Sequence, residues 1–242
     1  MKRKIIIAAL VVLLATGITL LWLFRFHIRF NYPSEKEFPV RGIDISHHNG
    51  VIDWQKLRAE NFSFVFMKAT EGGDYTDPSF SASCAEAQEN NFIVGAYHFY
   101  SFCRNGNEQA AHFIEVVPHL PGKLPPVLDL EYSGNCKTAK PKTQIIQEIG
   151  DCIDSLKNYY GVAPVLYCTS DFYTDYSLSR FSSCPVWIRN VYSRPEELNG
   201  RKWTFWQFAS NAHAEGISER VDLDVFNGDT AAFRKFTETN AR

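Results

Sequence analysis

The stretch Val127-Leu128-Asp129-Leu130-Glu131-Tyr132 reads as a short strand with two carboxylates at its carboxyl end. Alternate residues on a strand share a face. Asp129 and Glu131 therefore project to one side, while Leu128 and Leu130 take the other, as suits a face packed under helices. Strands buried on both faces mark a mostly parallel sheet. Similar short apolar runs occur at 42–46, 64–68, 93–99, 163–167, 185–188, 204–208 and 221–225. Helical patterns lie between the earlier ones, at 53–61, 78–90, 107–116 and 143–160. A further helical piece is read at 172–177 and a short terminal helix after 227–229. Asp77 ahead of Pro78 fits an N-cap followed by proline at the first helical position. The last three strands follow one another with turns rather than clear helices. This rhythm predicts an α/β fold, a modified TIM-like barrel of eight strands, over residues 41–242. Internal repeats and low-complexity segments are absent from the sequence.

The chain outside that region reads differently. Met1-Lys2-Arg3-Lys4 is basic, and residues 5–24 carry no charge. At about 1.5 Å rise per residue this is long enough to cross a ~30 Å hydrocarbon core. Trp22 near the outer end fits an interfacial aromatic. The apolar stretch exceeds the usual signal-peptide core and ends without a small-x-small cleavage site. Residues 1–24 are therefore expected to be a cytoplasmic basic start followed by a transmembrane signal anchor, with secretion after cleavage as the alternative. Residues 25–40 form a stem, and the domain from 41 onward lies outside the cytoplasm, in the periplasm or at the cell surface. The formal net charge of −2 hides an asymmetry. Seven of the 25 bases and two of the 27 acids lie in residues 1–41, which leaves the remainder with 18 bases and 25 acids, a net −7. An acidic domain without basic runs excludes a nucleic-acid partner, because phosphate contacts need clustered bases. A monomer is expected.

All six cysteines (84, 103, 136, 152, 168 and 184) follow the apolar segment. An even count outside the cytoplasm permits disulfides, but the spacing selects no pairing. Cys168, inside an apolar strand, also suits a buried thiol. Cys-x-x-Cys does not occur, and no metal or other cofactor is expected.

In an α/β barrel the chemistry sits at the carboxyl ends of the strands. Those ends carry Asp44 and Ser46, Lys68 and Glu71, Tyr97 and His98, Asp129 and Glu131, Tyr167, Trp187 and Arg189, Trp206 and Gln207, and Asp222 and Asp224. Several carboxylates around one cavity cannot all ionise cheaply, so at least one keeps its proton. A protonated acid beside an ionised carboxylate is what glycosidic cleavage requires. Aromatic side chains at 97, 167, 187 and 206 would stack on sugar faces.

The segments Arg41-Gly42-Ile43-Asp44-Ile45-Ser46, Lys68-Ala69-Thr70-Glu71-Gly72, Gly95-Ala96-Tyr97-His98-Phe99, Leu128-Asp129-Leu130-Glu131, Trp206-Gln207 and Val221-Asp222-Leu223-Asp224-Val225-Phe226 together resemble the glycoside hydrolase family 25 lysozymes. The resemblance spans roughly residues 41–229. It implies a flattened barrel with about five helices that cleaves the β-1,4 bond between N-acetylmuramic acid and N-acetylglucosamine in peptidoglycan glycan strands. It also implies Glu131 as general acid and Asp129 as a second carboxylate that attacks the sugar or orients the substrate's acetamido group. Asp44 and Asp222 would line the groove, and Tyr97 and Tyr167 would contact substrate. The sequence departs from the family pattern at Arg189, where a small residue is usual, and at Asp224, where Asn is usual. Arg189 either binds the lactyl or peptide carboxylate of a muramyl unit or pairs with a nearby acid. Asp224 reads as a salt-bridge or loop residue.

Two other functional classes fit parts of the pattern. His47-His48 with Asp44 would suit a metal-dependent carbohydrate deacetylase, and an inactive barrel could bind wall glycan alone. His98 could be a packed residue or a ligand. Glu71 reads as a residue supporting the site from behind, and Trp54 and Trp203 read as core.

Overall fold

A computed structural model of the chain describes residues 2–26 and 31–240. Contacts divide the chain into two units, Met1–Tyr32 and Pro33–Arg242. The first holds a helix, α1 (Lys2–Phe26). The window Lys2–Leu21 has a mean hydropathy of 2.5 and none of it is buried. Ile6, Leu10, Leu14 and Leu21 are all more than half exposed. This helix is long and apolar enough to cross a membrane, a test that a signal sequence also meets. Part of the expected stem, residues 27–30, and the side chain of Trp22 lie outside the described residues.

The second unit is a closed barrel. In chain order it contains β1 (Arg41–Ile45), α2 (Trp54–Ala59), β2 (Phe62–Glu71), β3 (Tyr75–Thr76), α3 (Phe80–Glu89), β4 (Ile93–Phe99), α4 (Gly106–Val116), β5 (Val127–Leu130), α5 (Lys142–Tyr160), β6 (Val165–Thr169), α6 (Ser170–Asp175), β7 (Val186–Arg189), β8 (Phe205–Ala212), β9 (Val221–Phe226) and α7 (Thr230–Asn240). The strand order is β1-β9-β8-β7-β6-β5-β4-β2, and β1 pairs with β2 to close the ring. β3 is a short hairpin arm on β2, pairing antiparallel with Thr70 and Glu71. Eight barrel strands match the expected number. α3 starts later than predicted: its N-cap is Ser79. Asp77 instead accepts from the Ser79 N–H and hydroxyl and from His47.

Six of the strand pairings run parallel, but β9 runs antiparallel to both neighbours. The reason is the connection: the link from β8 to β9 spans only residues 213–220, and a parallel return needs a crossover of about a dozen residues or more. The start of β9, not its end, therefore lies at the mouth.

The interior forms two layers. The lower one is apolar and includes Phe64, Phe66, Val127, Val165, Phe205 and Phe226, with Leu124 and Phe233 from outside the strands. Phe64 and Phe66 reach across the ring because β1 and β4 carry glycines opposite them. A Cβ on Gly42 would stand 2.3 Å from the Phe64 ring, and one on Gly95 would stand 2.6 Å from Phe66. One strand step up, the same inward faces carry the polar layer.

Candidate active site

Two-residue alternation carries each strand from the apolar layer into the polar one. Asp44 follows Gly42 on β1, Lys68 follows Phe66 on β2, Asp129 follows Val127 on β5, Tyr167 follows Val165 on β6, and Gln207 follows Phe205 on β8. These inward residues build a cavity of about 200 Å³ lined by Asp44, Ser46, His48, Lys68, Tyr97, Phe99, Asp129, Glu131, Tyr167, Trp187 and Asp222. The sequence expectation that Asp129 and Glu131 face one space with Asp44 and Asp222 matches this geometry.

The site is electrostatically crowded. Burial pushes Asp44 up to about 6, while Gln207, Asp224 and Arg189 pull the other way. Burial also pushes Asp222 up to about 8, with the Asp44 charge adding to the rise and Arg189 opposing it. Asp129 is only 8% exposed. Burial, then the charges of Glu131 and Asp44, hold its carboxyl well above the carboxylate range against the pull of Lys68. Glu131 is raised by burial, opposed by Arg189 and Lys68. Carboxyls this close cannot all be ionised at neutral pH, so the cavity holds protonated acids beside charged ones. Asp129 Oδ1 is buried without a hydrogen-bond partner.

Gln207 lies beneath this ring, 1% exposed. Its Nε2 donates to Asp44 Oδ2 at 2.8 Å and to Asp222 Oδ2 at 3.3 Å, and its Oε1 accepts from the Tyr167 hydroxyl at 2.9 Å. It does not line the cavity but joins three groups that do. Trp187 forms part of the floor, stacked on Phe66 with ring centroids 4.6 Å apart. Arg189 stands at the margin, its guanidinium 3.4 Å from Ser210 Oγ. Its charge acts on Asp44, Glu131 and Asp222.

Trp206 requires a correction. It neighbours Gln207 on the strand, so the two side chains point to opposite faces. The indole lies outside the barrel, 2% exposed, against Phe38, Trp203 and Phe208, and donates to Asn190 O at 2.8 Å. It has no access to the cavity. Asp224 likewise forms no salt bridge among the described residues and lies in no loop: it is fully buried on β9. His98 is packed, with hydrogen bonds to Thr70 and Gln109, and burial lowers it to about 4, leaving the ring neutral. His47 is held by Asp77 at 2.8 Å, so it is not paired with Asp44, while His48 lines the cavity. Among the described residues no group of three His, Cys, Asp or Glu could hold a metal ion. Trp54 and Trp203 are core residues, each 5% exposed.

Three supporting features have roles that the sequence reading does not assign. Lys68 lines the cavity with its ammonium 2.6 Å from Glu71, which confirms Glu71 as a supporting residue, and 5.1 Å from the Phe99 ring centroid. The sequence places it at the end of β2 but gives it no partner. Asn135 donates to Tyr100 O at 2.8 Å and to Glu131 O at 3.0 Å, pinning the backbone of Glu131. A disulfide joins Cys103 to Cys136 and so clamps the loop after β4 to the loop after β5. Cys84, Cys152, Cys168 and Cys184 are free thiols.

The sequence model of glycosyl hydrolases family 25 matches residues 43–217. The chain is similar to a family 25 glycosyl hydrolase from Bacillus anthracis of known structure, with a TM-score of 0.79 and 35% identity, covering 86% of this chain and 97% of that one. It is 33% identical to Lysozyme M1 of Streptomyces globisporus over 203 residues, 79% of this chain and 69% of the relative. It is 32% identical to the N,O-diacetylmuramidase of Chalaropsis sp over 198 residues, 74% of this chain and 92% of the relative. The barrel, its acidic mouth and these matches place the chain in glycosyl hydrolases family 25.

Proposed function

We propose that this chain is an N-acetylmuramidase, a lysozyme-type enzyme that hydrolyses the β-1,4 bond between N-acetylmuramic acid and N-acetylglucosamine in peptidoglycan. The observation that carries the reading is the cavity where Asp129 and Glu131, from one strand, meet Asp44 and Asp222, all with raised affinity for protons. Relatives named lysozyme and N,O-diacetylmuramidase support it.

In this reading Glu131, half-buried and with its carboxyl raised by burial, takes the proton that the crowded pair retains and donates it to the leaving glycosidic oxygen, leaving Asp129 ionised. Asp129 supports the developing oxocarbenium ion. Its unpartnered Oδ1 is completed by substrate, either by attack on the anomeric carbon or by accepting the acetamido N–H so that the acetamido oxygen attacks. Both routes retain anomeric configuration, after Glu131 returns as base to activate water. Asp44 and Asp222 shape the negative wall, Tyr97 and Tyr167 contact the sugar, Trp187 supports the floor, and Arg189 meets a lactyl or peptide carboxylate. Gln207 acts through Asp44, Asp222 and Tyr167. A deacetylase leaves the Asp129–Glu131 pair without a task, and a binding-only barrel has no need of a buried proton donor.

The substrate puts the barrel outside the cytoplasm, and the Cys103–Cys136 disulfide fits an oxidising compartment. Residues 1–24 anchor it to the membrane, the stem of 25–40 runs into the barrel unit, where Phe38 and Val40 are buried, and 41–242 hydrolyse glycan as a monomer. The test is digestion of purified peptidoglycan by the full chain and by Glu131→Gln, which keeps shape and removes the acid. The wild type solubilises glycan and the variant does not, while both give the same circular dichroism. A folded variant that retains wild-type activity overturns the assignment.

A further inference from the structure

β9 points two carboxyls inward: Asp222 at the mouth, opposite Asp44 of β1, and Asp224 one layer deeper, opposite Gly42. Asp224 is completely buried. Its Oδ1 accepts the indole N–H of Trp187 at 2.8 Å. Among the described residues its buried Oδ2 receives no N–H or hydroxyl, and no Lys, Arg or His forms an ion pair with it. The ionisable group on the inward face of the adjacent strand is Asp44, one step up on β1, and each of the two carboxyls shifts the other's affinity for a proton.

Two carboxyl groups can share a hydrogen bond only when one carries a proton. The groups facing the pair decide which one. Asp44 accepts Gln207 Nε2–H from β8 and feels the Arg189 cation from β7, and both favour its charged form. Asp224 faces Trp187 from β7, Gln207 as its register neighbour on β8, and the acids Asp44 and Asp222. Its one hydrogen-bond donor among the described residues is a neutral indole. Burial and the two acids raise its carboxyl well above the usual range.

We propose that Asp224 is a protonated positioning residue, whose O–H donates to Asp44 and, with Gln207, fixes that carboxylate in the cavity wall. The proton stays on Asp224 through the reaction and takes no part in bond cleavage. Ionising Asp224 would place a second charge against Asp44 with no donor between them, so Asp44 would turn away from its position. The consequence for turnover rests on the muramidase reading; the hydrogen bond itself does not.

Asp224→Asn tests this, because its carbonyl can accept from Trp187 and its amide can donate to Asp44, yet it cannot ionise. Infrared difference spectra at neutral pH should show one protonated-carboxyl C=O band present in the wild type and missing in the variant. On peptidoglycan, Asp224→Asn should keep kcat within roughly threefold and hold its activity to higher pH, whereas Asp224→Ala should lose about tenfold or more. Absence of that band difference overturns the proposal, as does an Asn variant as impaired as the Ala variant. If circular dichroism shows Asp224→Ala unfolded, the spectrum and pH profile of Asp224→Asn decide alone. A wild type that fails to cleave peptidoglycan removes the muramidase reading and leaves the infrared band as the test of the hydrogen bond.

Discussion

At the residue scale, strand alternation does most of the sorting. Leu128 and Leu130 face outward and Asp129 faces the cavity with Glu131, as the sequence alone allows one to read. The same rule separates Trp206 from Gln207, although the motif places them side by side. Gln207 joins Tyr167, Asp44 and Asp222, so Gln207→Leu leaves three polar groups unsatisfied. It should cost about 1–3 kcal/mol of stability and lower kcat. Trp206→Phe removes only a packed indole and its bond to Asn190 O. It should cost about 0.5–1.5 kcal/mol and leave kcat unchanged. Denaturant titrations and initial rates on both variants check this, and equal losses of kcat would contradict it. Glu131→Gln should lower kcat by roughly 10²–10⁴-fold, the usual worth of a general acid, without lowering the melting temperature, because it removes one of several crowded acids. Lys68, Asn135 and Asp224 were less legible because their roles depend on partners across strands, such as Glu71, Tyr100 and Asp44, that no local pattern pairs.

At the element scale, positions and directions of strands differ in legibility. The eight barrel strands stand where apolar runs stand in the sequence. The reversal of β9 is hidden, since a strand's own residues do not state its direction. Only the short link at 213–220 carries that information, and the reversal is why Asp222 tops the strand and Asp224 lies below. The loop after β5 matters equally. Asn135 and the Cys103–Cys136 disulfide tie it to the loop after β4, and its first residue is Glu131. Replacing both cysteines by serine should remove about 2–4 kcal/mol and lower kcat more than it changes KM, as Glu131 loosens. Thermal melts and steady-state kinetics, with and without reductant, provide the measurement. A variant with unchanged melting temperature and kcat would show that the loop holds itself.

At the scale of the whole molecule, the acidic mouth couples chemistry to stability. Asp44 and Asp222 move from about 3.8 to about 6 and about 8 in the folded state. The native protein therefore holds protons that the unfolded chain has released, so these two groups make stability fall as pH rises from about 4 to about 8, and Asp129 and Asp224, raised further, extend the fall. Calorimetry should give a higher melting temperature at pH 5 than at pH 8, and activity should fall on the alkaline side as the acids ionise. α1 sets the other molecular property. The full chain should stay in the membrane fraction at high salt and leave it in detergent, while a chain lacking residues 1–24 should be soluble. The central claim, cleavage of the muramyl bond, is tested most directly by the reducing ends released from purified peptidoglycan. Reducing N-acetylmuramic acid is the predicted product; reducing N-acetylglucosamine, or deacetylated glycan with no new reducing ends, would contradict it.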